Sequence, residues 1–249
     1  SITISAGATT GTATLDPTDD NVYEGDETAT IDISSVSGKS GVTENSTQQV
    51  SVTIAENESA PTVTLATSAT SIAENTGSSL TLTATLSVAT TADVTVALST
   101  SGTAMEGTDY TDGSGAIDDI VISAGATTGT VSFTPTDDSL YDATSNETAT
   151  IAISGVSGGS ASESGTQTVT ITITDNESAP TVTLATSATS IAENSASTLT
   201  LTATLSVATY QDVTVSIGSS GTATEGTDYG TVSDITILSL IHISEPTRP

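Results

Sequence analysis

Carboxylates are the side chains of this chain that occur often enough, and close enough together, to do chemistry. The chain carries 30 Asp and Glu against 2 Lys and Arg, a formal net charge of -28. In residues 59–177 the acids gather in a few segments: Glu74; Glu106 with Asp109; Asp137 and Asp138 with Asp142 and Glu147; Asp175 with Glu177. Hard oxygen donors in groups suit a hard divalent cation such as calcium, which takes about six to eight oxygen ligands in flexible geometry. Zinc or copper would call for imidazole or thiolate. Cysteine is absent and the one histidine is His242. The same composition also fits a solvated acidic surface, and clustering alone leaves the two readings open.

Other chemistries are excluded more firmly. Ser-His-Asp and Cys-His nucleophilic sites need residues that positions 1–237 do not contain. Paired carboxylates could hydrolyse glycosides, but among this many acids some pair always lies close, so no enzyme is expected. A charge of -28 repels nucleic-acid phosphates and anionic membrane surfaces. No apolar run approaches the roughly 20 residues of a spanning helix, so membrane insertion is not expected either. Without cysteine there is no disulfide framework.

The elements that must position the acids are strands. Leu80-Thr-Leu-Thr-Ala-Thr-Leu86, Val94-Thr-Val-Ala-Leu98 and Val169-Thr-Ile-Thr-Ile173 alternate apolar residues with small or Thr residues. Period two buries one face of a strand, and Thr and Val are good strand formers. The pattern predicts about seven strands, near 62–66, 79–87, 93–98, 119–122, 129–134, 147–154 and 167–174, joined by loops rich in Gly, Ser, Asn and Asp. That count predicts an all-β, immunoglobulin-like Greek-key sandwich. Aromatic residues are scarce, so the core must be aliphatic around Phe133. Tyr23, Tyr110, Tyr141 and Tyr229 recur at matching places and are expected to anchor loops, ring buried and hydroxyl in water.

The unit repeats. Ser59-Ala-Pro-Thr-Val-Thr-Leu-Ala-Thr-Ser-Ala-Thr-Ser-Ile-Ala-Glu-Asn75 returns letter for letter as Ser178 to Asn194, and Ile122 to Thr130 matches Ile4 to Thr12. The expected division is a C-terminal half unit at 1–58, a complete unit at 59–177 and an N-terminal half unit at 178–237. Very short linkers ending in Pro61 and Pro180 should hold neighbours nearly end to end. Each half unit should leave an apolar face open. An array of modules suggests length, spacing or avidity before catalysis. Residues 238–249 break the repeat and resemble a translated sequencing-library adapter. They are set aside from fold reasoning, and His242 and Arg248 go with them.

The acidic segments read Ile72-Ala-Glu-Asn75, Gly102-Thr-Ala-Met-Glu-Gly-Thr-Asp-Tyr110, Thr136-Asp-Asp138 and Ile171-Thr-Ile-Thr-Asp-Asn-Glu177. Together these motifs resemble the Calx-beta repeat. Asp19-Asp-Asn-Val-Tyr-Glu-Gly-Asp-Glu-Thr28 is closer still. The resemblance implies immunoglobulin-like sandwiches with calcium at one end, beside the junction with the following domain. It implies Glu74, Asp109, Asp137, Asp138, Asp142, Glu147, Asp175 and Glu177 as candidate ligands in the full unit. In the half units the counterparts are Asp19, Asp20, Glu24, Glu27, Glu56, Glu58, Glu193 and Asp228. It further implies a calcium-rigidified spacer in an extracellular or bacterial cell-surface adhesin, with neighbouring repeats as partners and host or cell-surface ligands met through other domains. Two alternatives stay open: a β-sandwich that binds a carbohydrate or protein, and a cadherin-like adhesion repeat. The Glu74-Asn75 and Asp175-Asn176 motifs echo cadherins, whose Asp-Arg-Glu motif has no counterpart here.

Overall fold

The computed structural model describes residues 1–141 and 146–239. Two five-stranded sheets are drawn from residues 62–174. One runs Ile120–Ile122, Val94–Gly102, Glu147–Ser157, Thr168–Thr174, Ser71–Ala73. The other runs Ser162–Glu163, Thr62–Thr67, Leu80–Leu86, Thr128–Pro135, Tyr110–Thr111. Pairing is antiparallel except at two edges. There Ser162–Glu163 lies parallel to Thr62–Thr67, and Ser71–Ala73 lies parallel to Thr168–Thr174. Among the described residues no helix is long and apolar enough to cross a membrane.

Alternation becomes the core. In Leu80–Leu86 the four odd-spaced apolar residues, Leu80, Leu82, Ala84 and Leu86, are all buried while Thr81 and Thr85 face water. Val63 and Leu65 join them, and Val94, Val96, Ile120, Ile122, Ala149, Ile151, Ile171 and Ile173 close the other side. Phe133 is fully buried and stacks on Tyr110, ring centroids 4.7 Å apart and planes inclined by 22°. Tyr110 itself is 1 % exposed. The expectation of a hydroxyl left in water fails at this position: the group is enclosed and bonded to Thr100, and burial pushes its pKa up. Tyr23, Tyr141 and Tyr229 are half-buried.

The seven expected strands are present. The structure adds the short pieces Ser71–Ala73, Ala89–Thr90, Tyr110–Thr111, Leu140–Tyr141 and Ser162–Glu163. Two or three residues carry no readable period, and tertiary pairing decides their state. The first strand also crosses the sandwich: Thr62–Thr67 serves one sheet and Ser71–Ala73 the other.

On either side the chain forms isolated hairpins, Glu27–Asp32 with Gln49–Ile54, Val182–Thr186 with Leu201–Leu205, and Val213–Val215 with Ile235–Ile237. Their apolar side chains are half-buried or open, Val50 at 61 % and Leu184 at 55 % exposure. His242 and Arg248, with the rest of 240–249, lie outside the described residues.

Candidate metal centre

Glu74 follows directly on Ser71–Ala73, whose pairing with the last strand sets Ala73 opposite Thr174. The two chain segments therefore reach the same end of the sandwich together, with Glu74 beside Asp175. Asn176 donates its N–H to Glu74 Oε1 at 3.3 Å, and Glu177 donates its N–H to Asp175 Oδ1 at 2.8 Å. One carboxylate oxygen from each of Glu74, Asp175 and Glu177 falls within 4.8 Å of the other two.

Further acids are delivered by the neighbouring strands. Glu147 pairs with Ile173, so it starts its strand at this same end. The next residue, Thr148, offers its carbonyl to the N–H groups of Thr103 and Ala104 at 2.9 and 3.1 Å. Gly102 makes that approach possible: its φ is +124°, and a Cβ there would overlap the Thr148 carbonyl. The Gly-Thr-Ala string is thus a backbone clamp beside Glu147. Thr136 donates its N–H to the Asp109 carbonyl at 2.9 Å, which ties the Asp109 loop to the Asp137-Asp138 segment. One concavity is lined by Glu74, Asp109, Asp138, Glu147 and Asp175.

The electrostatics match a cation site. Burial pushes Glu74 up to about 7, with the Glu177 and Asp175 carboxylates adding to the rise and the Asn176 N–H opposing it. Glu177 is raised too, first through its hydrogen bond with Asp175 and then by burial. The contact between Glu74 and Glu177 favours the proton on Glu74 and the charge on Glu177. Glu177 Oε2 is buried and accepts no amide or hydroxyl hydrogen, and the groups that Glu177 meets here are the Glu74 and Asp175 carboxylates. A buried acceptor without a donor is costly, and a divalent cation would satisfy it. The donor set is oxygen throughout, as a hard cation requires.

Not every candidate ligand converges. Asp137 does not line the concavity, and Asp142 lies outside the described residues. Asp109 already accepts the Met105 N–H on Oδ2 at 2.6 Å, which leaves Oδ1 for a ligand. Glu106 is consumed structurally: it accepts Thr100 Oγ1 at 2.7 Å and the Ile117 N–H at 2.6 Å.

Residues ahead of the first sandwich build a second acidic concavity from Asp20, Glu24, Glu27, Glu56 and Glu58. Glu56 accepts the N–H groups of Glu24, Gly25, Asn57 and Glu58 at 2.6–3.0 Å. The N–H groups of Glu24, Glu58 and Gly25 hold its pKa down to about 2. The charge of Glu27, followed by burial, raises Glu24. Asp19 accepts the Asn57 side-chain amide at 3.0 Å. Glu193 and Asp228, beyond the sandwich, are exposed, and Asp228 Oδ2 accepts the Thr224 N–H at 2.7 Å as Asp109 accepts that of Met105.

Tyr210 lines the full unit's concavity, although it belongs to the following repeat. Reading the sequence did not find it. The signal was there in the one-letter contrast between otherwise matching segments: Thr91 follows Ser87-Val-Ala-Thr90, and Tyr210 follows Ser206-Val-Ala-Thr209. Asn146, at φ +82°, also lines the concavity and was not among the candidates.

The Calx-beta domain family matches residues 1–58, 56–177 and 175–237. No curated protein matches the chain.

Proposed function

This chain belongs to the Calx-beta domain family, and from that membership we propose that it is a calcium-rigidified spacer in a large secreted or cell-surface adhesin. Calx-beta domains are calcium-binding β-sandwich modules without catalytic activity, and the family match favours this reading over a cadherin-like one. The proposal divides the chain into a half repeat at 1–58, a complete repeat at 59–177 and a half repeat at 178–237.

The observation that carries it is the meeting of Glu74, Asp175 and Glu177 within 4.8 Å, with Glu177 Oε2 buried and without an amide or hydroxyl donor. These three would hold the ion; Glu74 and Asp175 also line the concavity together with Asp109, Asp138 and Glu147, whereas Glu177 reaches the cluster from outside that wall. Calcium would supply the positive charge that this end of the sandwich lacks. The protein's own contribution is placement. Ser71–Ala73 and Thr168–Thr174 bring acids from opposite ends of the repeat to one point, and the Gly102 clamp fixes the start of the Glu147 strand. Without a cation, repulsion among these carboxylates opposes that convergence.

Calorimetric titration of the chain with calcium tests the binding. Saturable heat at a Kd of about 10⁻⁴–10⁻³ M, the range of extracellular calcium modules, is expected. Heat of dilution alone would overturn the reading. Small-angle scattering tests stiffening: the maximum dimension should fall on chelation, and an unchanged profile would reject the spacer mechanism.

A further inference from the structure

Each of the two junctions between successive repeats carries the same short parallel pairing. Val22–Tyr23 pairs with Ala89–Thr90, Val22 opposite Ala89 and Tyr23 opposite Thr90. Leu140–Tyr141 pairs with Ala208–Thr209, Leu140 opposite Ala208 and Tyr141 opposite Thr209. The register is conserved between two junctions whose flanking loops differ: Glu24-Gly-Asp-Glu27 follows one strand, and the longer Asp142-to-Glu147 segment follows the other. In both, an aliphatic residue and a tyrosine from the acidic loop of one repeat meet a Ser-Val-Ala-Thr corner of the next.

Both sides of the contact are shaped in advance. On the corner, Thr90 is 1 % exposed and donates Oγ1 to the Ala92 carbonyl at 2.6 Å. Thr209 does the same to the Gln211 carbonyl at 2.6 Å, and it stays buried although the neighbouring hairpin strand Val182–Thr186 is exposed throughout. On the docking strand, the first N–H is held by an aspartate two residues back. Val22 N–H bonds Asp20 Oδ1 at 2.8 Å, and Leu140 N–H bonds Asp138 Oδ1 at 2.7 Å. Across the second junction, Tyr210 donates its N–H to the Tyr141 carbonyl at 3.4 Å. The Tyr210 side chain then forms part of the wall of the acidic concavity.

We propose that the strands Val22–Tyr23 and Leu140–Tyr141 are docking elements, that the Ala-Thr corner of the following repeat is the surface they fit, and that at the second junction the cation centre of the 59–177 repeat is thereby completed by Tyr210 of its neighbour. Preorganised strand and corner lose little freedom on meeting, which lets so short a pairing persist. Asp138 is shared between the two events: it holds the N–H that starts the docking strand, and it faces the concavity where a cation would sit. Loading the centre fixes Asp138, and with it the strand that the next repeat receives. The docking contact rests on the tandem-repeat reading, and only its calcium dependence rests on the proposed ion.

The chain has no cysteine, so introduced thiol pairs report without background. Leu140→Cys with Ala208→Cys places two thiols on paired residues of adjacent strands, within the roughly 4.4–6.8 Å Cα separation that a disulfide spans. Leu140→Cys with Gln211→Cys keeps the same loops but is out of register. Val22→Cys with Ala89→Cys repeats the matched test at the other junction, should either Leu140 variant fold poorly. In the full chain with calcium, matched pairs should oxidise at least about ten times faster than the offset pair, and chelation should shrink the difference. Equal rates in matched and offset pairs would overturn the docking contact. A matched-pair preference unaffected by chelation would overturn the coupling to the cation. Calcium titration of the unsubstituted chain separates the two readings: calcium heat with no pairing preference sinks the docking alone, and pairing preference without calcium heat sinks the calcium reading alone.

Discussion

Glu74 and Asp175 leave neighbouring parallel strands side by side, because Ala73 pairs with Thr174 in the register of the last sheet position. The first quarter and the last residues of the repeat thereby share one electrostatic problem. A cation is the solution with the fewest further demands on the fold, and its consequences are measurable.

Calcium should raise the melting temperature of the chain. At one hundred times Kd a single site adds about 2.7 kcal/mol. Glu74→Gln and Asp138→Asn should each weaken calcium binding by roughly ten-fold or more, since each removes a charged ligand from the concavity. Asp93→Asn is the control. Its Oδ1 accepts the Ala124 N–H at 2.8 Å, an acceptor that an Asn oxygen retains, and it does not line the concavity. Calorimetry on the three variants decides: equal effects would reduce the acidic loops to surface charge.

The pH dependence has a definite sign. Glu74 rises from 4.5 to about 7 on folding, so the folded state binds the proton more tightly than the unfolded state. Without calcium, this group's contribution to stability is greatest below about pH 4.5. It declines as pH rises toward 7, since stability falls with pH wherever the folded state holds more protons. A cation competes with that proton. Calcium affinity should weaken as pH is lowered from 7 to 5, with protons released on binding near neutrality. Titrations in buffers of different ionisation enthalpy read this release directly, and zero proton release at pH 6.5 would contradict it.

Gly102→Ala should destabilise the repeat by at least about 1–2 kcal/mol, the cost of a left-handed φ for a residue with a Cβ, plus the displacement of the Thr148 carbonyl. A drop in melting temperature of roughly 4–8 °C per kcal/mol is expected for a small domain. Calcium affinity should fall with it, because Glu147 precedes the displaced residue. Gly77→Ala is the comparison: its φ is +60°, and a Cβ there meets nothing within 4 Å.

Phe133→Ala should cost about 3–5 kcal/mol, the range for emptying a large aromatic site. Tyr110→Phe keeps the stacked ring and should cost only about 1 kcal/mol, the typical net worth of one hydrogen bond. Denaturant melts of the two variants distinguish them, and equal losses would show that the hydroxyl matters as much as the core ring.

Much of this was legible in the sequence. Leu80–Leu86 alternates on paper as it does in space, and the returning blocks marked the repeat. Glu74, Asp138, Glu147 and Asp175 were named from motif and charge, and the fold brings them to one concavity. The sequence did not show the transfer of Ser71–Ala73 to the second sheet, because three residues have no period and their pairing is decided by the strand they meet. Nor did it show what Glu106 does instead, which is to accept the Ile117 N–H and the Thr100 hydroxyl, because an acid in a loop carries no sign of its partner in sequence. Tyr210 escaped because a neighbour's contribution is visible only once the junction is built.

The parallel edge pairing that sets Glu74 beside Asp175 also decides how a repeat carries load. Ser71–Ala73 belongs to the incoming part of the chain and Thr168–Thr174 is its last strand, and both run toward the acidic end. Tension on an array pulls the early strand backward from its start and the late strand forward from its end. The hydrogen bonds between them are strained together, sideways, rather than opened one at a time. A seam loaded in shear yields only when several bonds fail at once, so each sandwich resists extension at the edge where its early and late strands pair.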